Sequence, residues 1–131
     1  MGVEIDLLRD YPKSPRDLDQ RLQAKSEESR RIARRFDRDY FDGDRNHGYG
    51  GFEYNPRFWK PVIPAFVEHF GITSSSSVLD VGCAKGFMIA DFLEDIPGLP
   101  VAGVDISEYA IANALPRVRD RVEDSDATSL P

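Results

Sequence analysis

The stretch Val78-Leu79-Asp80-Val81-Gly82-Cys83-Ala84-Lys85-Gly86 constrains the fold more than any other part of the chain. Val78, Leu79 and Val81 suit a short buried strand. Gly82 and Gly86 bracket a turn with little side-chain bulk, and Phe87, Met88, Ile89, Ala90, Phe92 and Leu93 begin a largely apolar helix. A strand that delivers its C-terminal end into such a turn is where open α/β sheets bind ligands. Small residues there let a ligand approach the backbone closely. The dinucleotide fingerprint G-x-G-x-x-G fits poorly. The turn reads Gly82-x-Ala84-x-Gly86, and Phe87 stands where that spacing wants glycine. Asp80 sits at the mouth of the turn, where a carboxylate repels a pyrophosphate and welcomes an ammonium or a sulfonium.

Two later positions extend the pattern. Val101-Ala102-Gly103-Val104-Asp105 is a second apolar strand ending in an acid, nineteen residues beyond Gly86. That is the expected place for an acid that binds ribose hydroxyls, and a carboxylate accepts two hydrogen bonds from a cis-diol. A third acid follows in Asp124-Ser125-Asp126-Ala127-Thr128-Ser129-Leu130-Pro131. The set of Asp80-x-Gly82-x-x-x-Gly86, Asp105 and this last segment resembles the class I S-adenosylmethionine-dependent methyltransferases. Two departures from that family's pattern are small: Ala84 replaces a glycine found in many members, and Ser125 replaces the glycine that usually precedes the third acid.

The resemblance covers residues 78–131, and what it implies is specific. The cofactor is S-adenosylmethionine. Asp80 and Gly82 serve its methionine end, and Ala84 and Gly86 shape the turn. Cys83 supplies a small side chain beside it. Asp105 takes the ribose, and Ile106 packs against adenine. Asp126 accepts from the adenine amino group, and the Ala127 N–H serves a ring nitrogen. The fold implied is α/β, a Rossmann-like three-layer α/β/α arrangement. Its parallel sheet would be incomplete, holding the first three strands in the order 3-2-1, where the family's full sheet has seven. The chain therefore reads as the N-terminal part of an enzyme. Residues 1–71 would form a helical cap with a glycine- and aromatic-rich flap, and residues 72–131 the cofactor-binding half. No catalytic base and no metal ligand is assigned. Competing readings are a nicotinamide or flavin site, a fold without a ligand, and a non-catalytic S-adenosylmethionine-binding or interaction module completed by another chain through the exposed edge of the first strand.

Bulk properties narrow the partners. A chain of 131 residues suits one domain with a modest core. Its net charge of −6 makes it a poor binder of nucleic-acid backbones, whose affinity comes from Lys and Arg, so a small-molecule methyl acceptor is expected. No apolar run approaches membrane-spanning length, and the first residues carry no basic-then-apolar signal. Cys83 is the single cysteine, which excludes an internal disulfide and fits a reducing cytoplasm.

The region before the strand reads as helical. Residues 1–13 look irregular. Ser14 and Pro15 suit a cap and a first helical position, and the apolar stripe Leu18, Leu22, Ile32, Phe36, Tyr40 predicts one helix from about 15 to 40, stopped at Gly43. Arginines 30, 31, 34, 35 and 38 interleave with Glu27, Glu28, Asp37 and Asp39, a solvated ion-paired face rather than a nucleic-acid surface. The stretch from Asp42 to Tyr54 holds four glycines and three aromatic residues. It reads either as a surface loop with aromatic anchors or as a flap over a site, with Tyr49, Tyr54 and His47 as lid residues. His47 reads either as a general base or as a solvent-facing histidine. A further helix is expected from Arg57 to Phe70, loose near Pro61 and Pro64 and ended by Gly71. Another is expected from about 86 to 95, and a third is capped by Ser107 and closed by Pro116. A thin third strand is expected from Arg119 to Asp124.

Overall fold

The computed structural model describes residues 2–13 and 18–130. Three short helices open the chain: α1 (Leu18–Ala24), α2 (Glu27–Ala33) and α3 (Arg38–Asp42). A coil to Tyr54 leads into α4 (Pro56–Trp59) and α5 (Ile63–Phe70). Then come β1 (Val78–Val81), α6 (Phe87–Asp95), β2 (Val101–Asp105), α7 (Glu108–Ala112), a 3₁₀ helix at Pro116–Arg121, and β3 (Val122–Asp124).

The three strands make one parallel sheet in the order β1-β2-β3. Val78 pairs with Val101 and Val81 with Val104, while Gly103 pairs with Val122 and Asp105 with Asp124. Parallel neighbours need a crossover. Helix α6 supplies the first, and α7 with the 3₁₀ helix supplies the second. This is the α/β, Rossmann-like arrangement that the strand-turn-helix pattern predicts. The core under the sheet gathers Ile63, Ile89, Phe92, Leu99, Val101 and Val118, all nearly or wholly buried. Gly103 lets α6 lie close against β2: a Cβ there would meet Ile89 Cδ1 at 2.5 Å and Cys83 Sγ at 2.7 Å.

The long helix expected over 15–40 is instead three. Its proposed start at Ser14 and Pro15 lies outside the described residues. Ser26 takes the N-cap of α2, its side chain accepting from the Ser29 N–H at 3.0 Å. The chain turns again at Phe36, whose φ is +50°, and Asp37 caps α3 by accepting from the Asp39 N–H. Ser and Asp compete with helical hydrogen bonding by offering their own, and here they win at both breaks, the second of them inside the apolar stripe. The interleaved charges do pair: Arg30 with Glu27, Arg31 with Glu28, Arg38 with Asp39.

The helix expected over 57–70 is divided in the same way. Pro61 has no N–H for a helical bond, and the chain breaks between α4 and α5 around it. Gly71 ends α5 at φ +60°, as expected. Pro116 does not close α7, which stops at Ala112, but opens the 3₁₀ helix. The third strand is correspondingly shorter than expected, since Arg119–Arg121 belong to that helix. Among the described residues, no helix is long and apolar enough to cross a membrane.

Gly103→Ala is expected to destabilise the fold by about 1–3 kcal/mol through overpacking, read as a lower urea midpoint. An unchanged midpoint would show that α6 does not press on β2.

Candidate functional site

The turn after β1 is wound by left-handed residues. Gly82 has φ +84°, Ala84 +50° and Gly86 +80°. The two glycines serve different needs. A Cβ at Gly86 would lie 2.7 Å from Val118 Cγ2, whereas nothing comes within 4 Å of one at Gly82. Gly86 is packed, and Gly82 faces open space. The Gly82 and Cys83 N–H groups both donate to the Val104 carbonyl, at 2.8 and 3.0 Å, which binds the turn to the adjacent strand.

Ala84 carries a Cβ in a conformation that costs about 1–2 kcal/mol. Its N–H donates to Asp105 Oδ2 at 2.8 Å. The other oxygen, Oδ1, accepts the Ser107 N–H at 2.8 Å. Each carboxylate oxygen has two acceptor positions, so Asp105 is oriented from both sides and keeps one position free on each oxygen.

A cavity of about 370 Å³ opens here. Gly82, Ala84 and Asp105 form one side of it, with Ile106, Asp126 and Ala127 further along. Asp126 accepts both the N–H and the hydroxyl of Thr128 through Oδ1, each at 2.8 Å, and these bonds hold its carboxyl below the usual range. The facing wall is aromatic: Phe36, Tyr40, Phe41 and Tyr49. Tyr40 meets Phe36, Phe41 and Tyr49 edge-on at 4.9–5.3 Å between ring centres. Burial pushes the Tyr49 hydroxyl up to about 12, reinforced by Tyr40 and by the Asp105 charge. Among the described residues, both non-glycine residues with left-handed φ, Phe36 and Ala84, line this cavity, and such strain gathers at functional sites.

Six of the nine cofactor-site residues expected from the sequence thus share one cavity. Asp80, Cys83 and Gly86 do not line it. Side chains alternate along a strand. Val81 reaches this cavity, and its neighbour Asp80 lines another beside Trp59, Phe66 and Met88. Burial raises the Asp80 carboxyl, and the Asp105 charge raises it further, so the two acids still sense each other. Cys83 is buried against Gly103, and burial, with the Asp80 and Asp105 charges, pushes its thiol up to about 12. Among the described residues, no cluster of His, Cys, Asp or Glu could hold a metal ion.

The glycine-rich coil folds back on α3, with the Tyr49 N–H on the Tyr40 carbonyl and the Gly51 N–H on the Phe41 carbonyl. It brings Tyr49 to the cavity. His47 is half-buried with its Nδ1 unpartnered and away from the cavity. The Tyr54 hydroxyl donates to the fully buried Asp91 on α6. Sequence reasoning assigned no site role to Phe36, Tyr40 and Phe41, because Phe36 and Tyr40 read as a helix stripe. It also missed Lys85, a motif position of unspecified type. Lys85 is buried, and its Nζ donates to Asp42 Oδ2 and to the Phe52 carbonyl, both at 2.8 Å. Asp42 also accepts the Phe52 N–H at 2.8 Å and the Tyr109 hydroxyl. Burial alone would raise the Asp42 carboxyl, but the Lys85, Tyr109 and Phe52 hydrogen bonds outweigh it and hold it at about 2.

Two outcomes follow from these groups. The Cys83 thiol is expected to resist iodoacetamide at pH 8 in the native protein and to react once urea unfolds it; equal rates in both states would contradict its burial. Because the folded Asp42 carboxyl is depressed, it contributes stability above its ordinary value of 3.8, and that contribution is lost as pH falls toward about 2. Acid titration of Asp42→Asn should show a shallower loss of stability across that window than the unaltered protein.

No family model and no curated protein matches the chain. Among solved structures, the crystal structure of the MccD protein is similar at 28% sequence identity and a TM-score of 0.46. The match covers 53% of this chain and 33% of that one.

Proposed function

We propose that the cavity binds S-adenosylmethionine and that the chain takes part in methyl transfer to a small-molecule acceptor. One observation carries this reading. Asp105, oriented by the Ala84 and Ser107 N–H groups, shares a single cavity with Ile106, Asp126 and Ala127. The residues fit a nucleoside. Asp105 retains acceptor positions for both hydroxyls of a ribose, Ile106 offers an exposed apolar face to a base, and Asp126 offers a carboxylate to an exocyclic amine. The volume of about 370 Å³ lies within the range of small-molecule pockets. A wall of four aromatic rings suits a cation, which their faces attract.

Bound there, the sulfonium would supply an already activated methyl group. The task left to the chain is alignment and exclusion of water. Asp105 orients the ribose, the Gly82 side leaves room for the methionine end, and Tyr40 and Tyr49 shield the site from solvent. Tyr49 keeps its proton at neutral pH, so it is a hydrogen-bond donor there rather than a base. Asp80 acts from the neighbouring cavity through its charge.

Among the described residues β1 is an edge strand of the sheet, and its Leu79 and Val81 are each 49% exposed, which supports a second reading. In it, the chain is a binding module that pairs with another chain through that edge. Calorimetry with S-adenosylmethionine and S-adenosylhomocysteine, alongside methyltransferase assays with small-molecule acceptors, separates the two; binding without turnover favours the module. Asp105→Ala should weaken binding tenfold or more, equivalent to about 1.4 kcal/mol. Unchanged affinity in that variant would contradict the ribose assignment.

A further inference from the structure

Two consecutive residues of the turn reach in different directions. The Ala84 N–H holds the Asp105 carboxylate, and the Lys85 ammonium holds the coil that supplies Tyr49 to the cavity. Lys85 grips that coil at both ends. Its Nζ donates to Asp42, where the coil leaves α3, and to the carbonyl of Phe52, where the coil returns to the domain. Asp42 closes the same loop from its side by accepting the Phe52 N–H. The ammonium also lies 5.8 Å from the ring centres of Phe52 and Tyr109. Phe52 stacks on Phe87 at the start of α6 and packs on Tyr49.

A buried ammonium is an expensive way to fill space, because its desolvation offsets much of the attraction it gains. An apolar side chain of similar length would pack without that cost. What the charge adds is direction. It fixes two points of the coil, ten residues apart in the chain, to the backbone that also orients Asp105.

We propose that Lys85 is a positioning residue, tying residues 43–53, which bring Tyr49 to the cavity, to the turn that presents Asp105, so that Tyr49 stays over the bound nucleoside and slows its release. This rests on the nucleoside reading of the cavity. The lysine touches neither ligand nor reacting atoms and acts through Asp42 and Phe52. A strap of this kind governs residence time more than encounter, since the Lys85 grips add to the α3 hydrogen bonds that must yield before the ligand leaves.

The test is stopped-flow binding of S-adenosylhomocysteine together with hydrogen exchange across residues 43–53, on the full chain. Lys85→Met should raise the dissociation rate about tenfold and leave the association rate within about twofold. Exchange in the coil should rise while β2 stays protected. Lys85→Arg should recover most of the residence time, because it restores a cation with donors to the same two acceptors. The double variant K85M/D42N removes both charges and should be no worse than K85M, since the two residues act as one unit. It also serves if K85M alone does not fold. An unchanged dissociation rate in either folded variant, or failure of arginine to restore it, overturns the proposal. If the unaltered protein binds no nucleoside, the reading of the cavity fails separately. The strap then stands or falls on exchange, and unaltered exchange in the variant coil refutes it.

Discussion

The carboxylate of Asp105 is where the parts of this chain meet. It ends the middle strand, it accepts the Ala84 N–H from the turn after β1, and it accepts the Ser107 N–H that begins α7. Its own carbonyl takes the Ser125 N–H beyond β3. All three strands of the sheet are therefore locked to one residue at their C-terminal ends. A carboxylate accepting charge-assisted bonds from two backbone N–H groups is held more firmly than a neutral acceptor would be. The left-handed conformation of Ala84 is sustained by that bond. Ser107 continues the chain of support, because its hydroxyl both caps α7 and donates to the Phe36 carbonyl. The aromatic wall is thus placed by the same junction that fixes the acid.

The parts of the fold that were readable in the sequence are those ruled by short-range patterning. Val78–Val81 and Val101–Asp105 are apolar runs bounded by turn residues, and both are strands at nearly the expected limits. Ser107 and Gly71 are single-residue signals that act where they stand. The failures come where two local preferences compete. Phe36 fits a helical stripe by spacing, yet lies in a left-handed turn because Asp37 begins a new helix directly after it. Pro61 predicts a loose first turn, but it divides the segment into two helices. The first half of the strand expected from Arg119 is a 3₁₀ helix, since Pro116 suits a helical start and only Val122 in that stretch is a strong strand former.

At the candidate site, spacing could say that Asp105 ends one strand and Asp126 lies just beyond its neighbour, and the cavity brings them together. It could not say which face Asp80 takes, because a one-residue change in where a strand ends reverses the side chain. The Lys85–Asp42 pair was beyond reach for another reason. Forty-three positions separate the two residues, and nothing in either local sequence marks a partner. The glycines of the coil hint at it only afterwards. Gly48 lies so close to Tyr40 that a Cβ would sit 2.2 Å from its carbonyl oxygen, so the coil is pressed onto α3 rather than free to wander.

The sheet's order has a kinetic side. Only β2 has hydrogen-bonded neighbours on both edges among the described residues, so its amides should be the last to lose protection as the protein breathes. Local openings that peel away β1 or β3 leave it standing. The residue on which the cavity depends is thus mounted at the end of the longest-lived element, while the pieces that would grip or release a small molecule hang from the margins that open first.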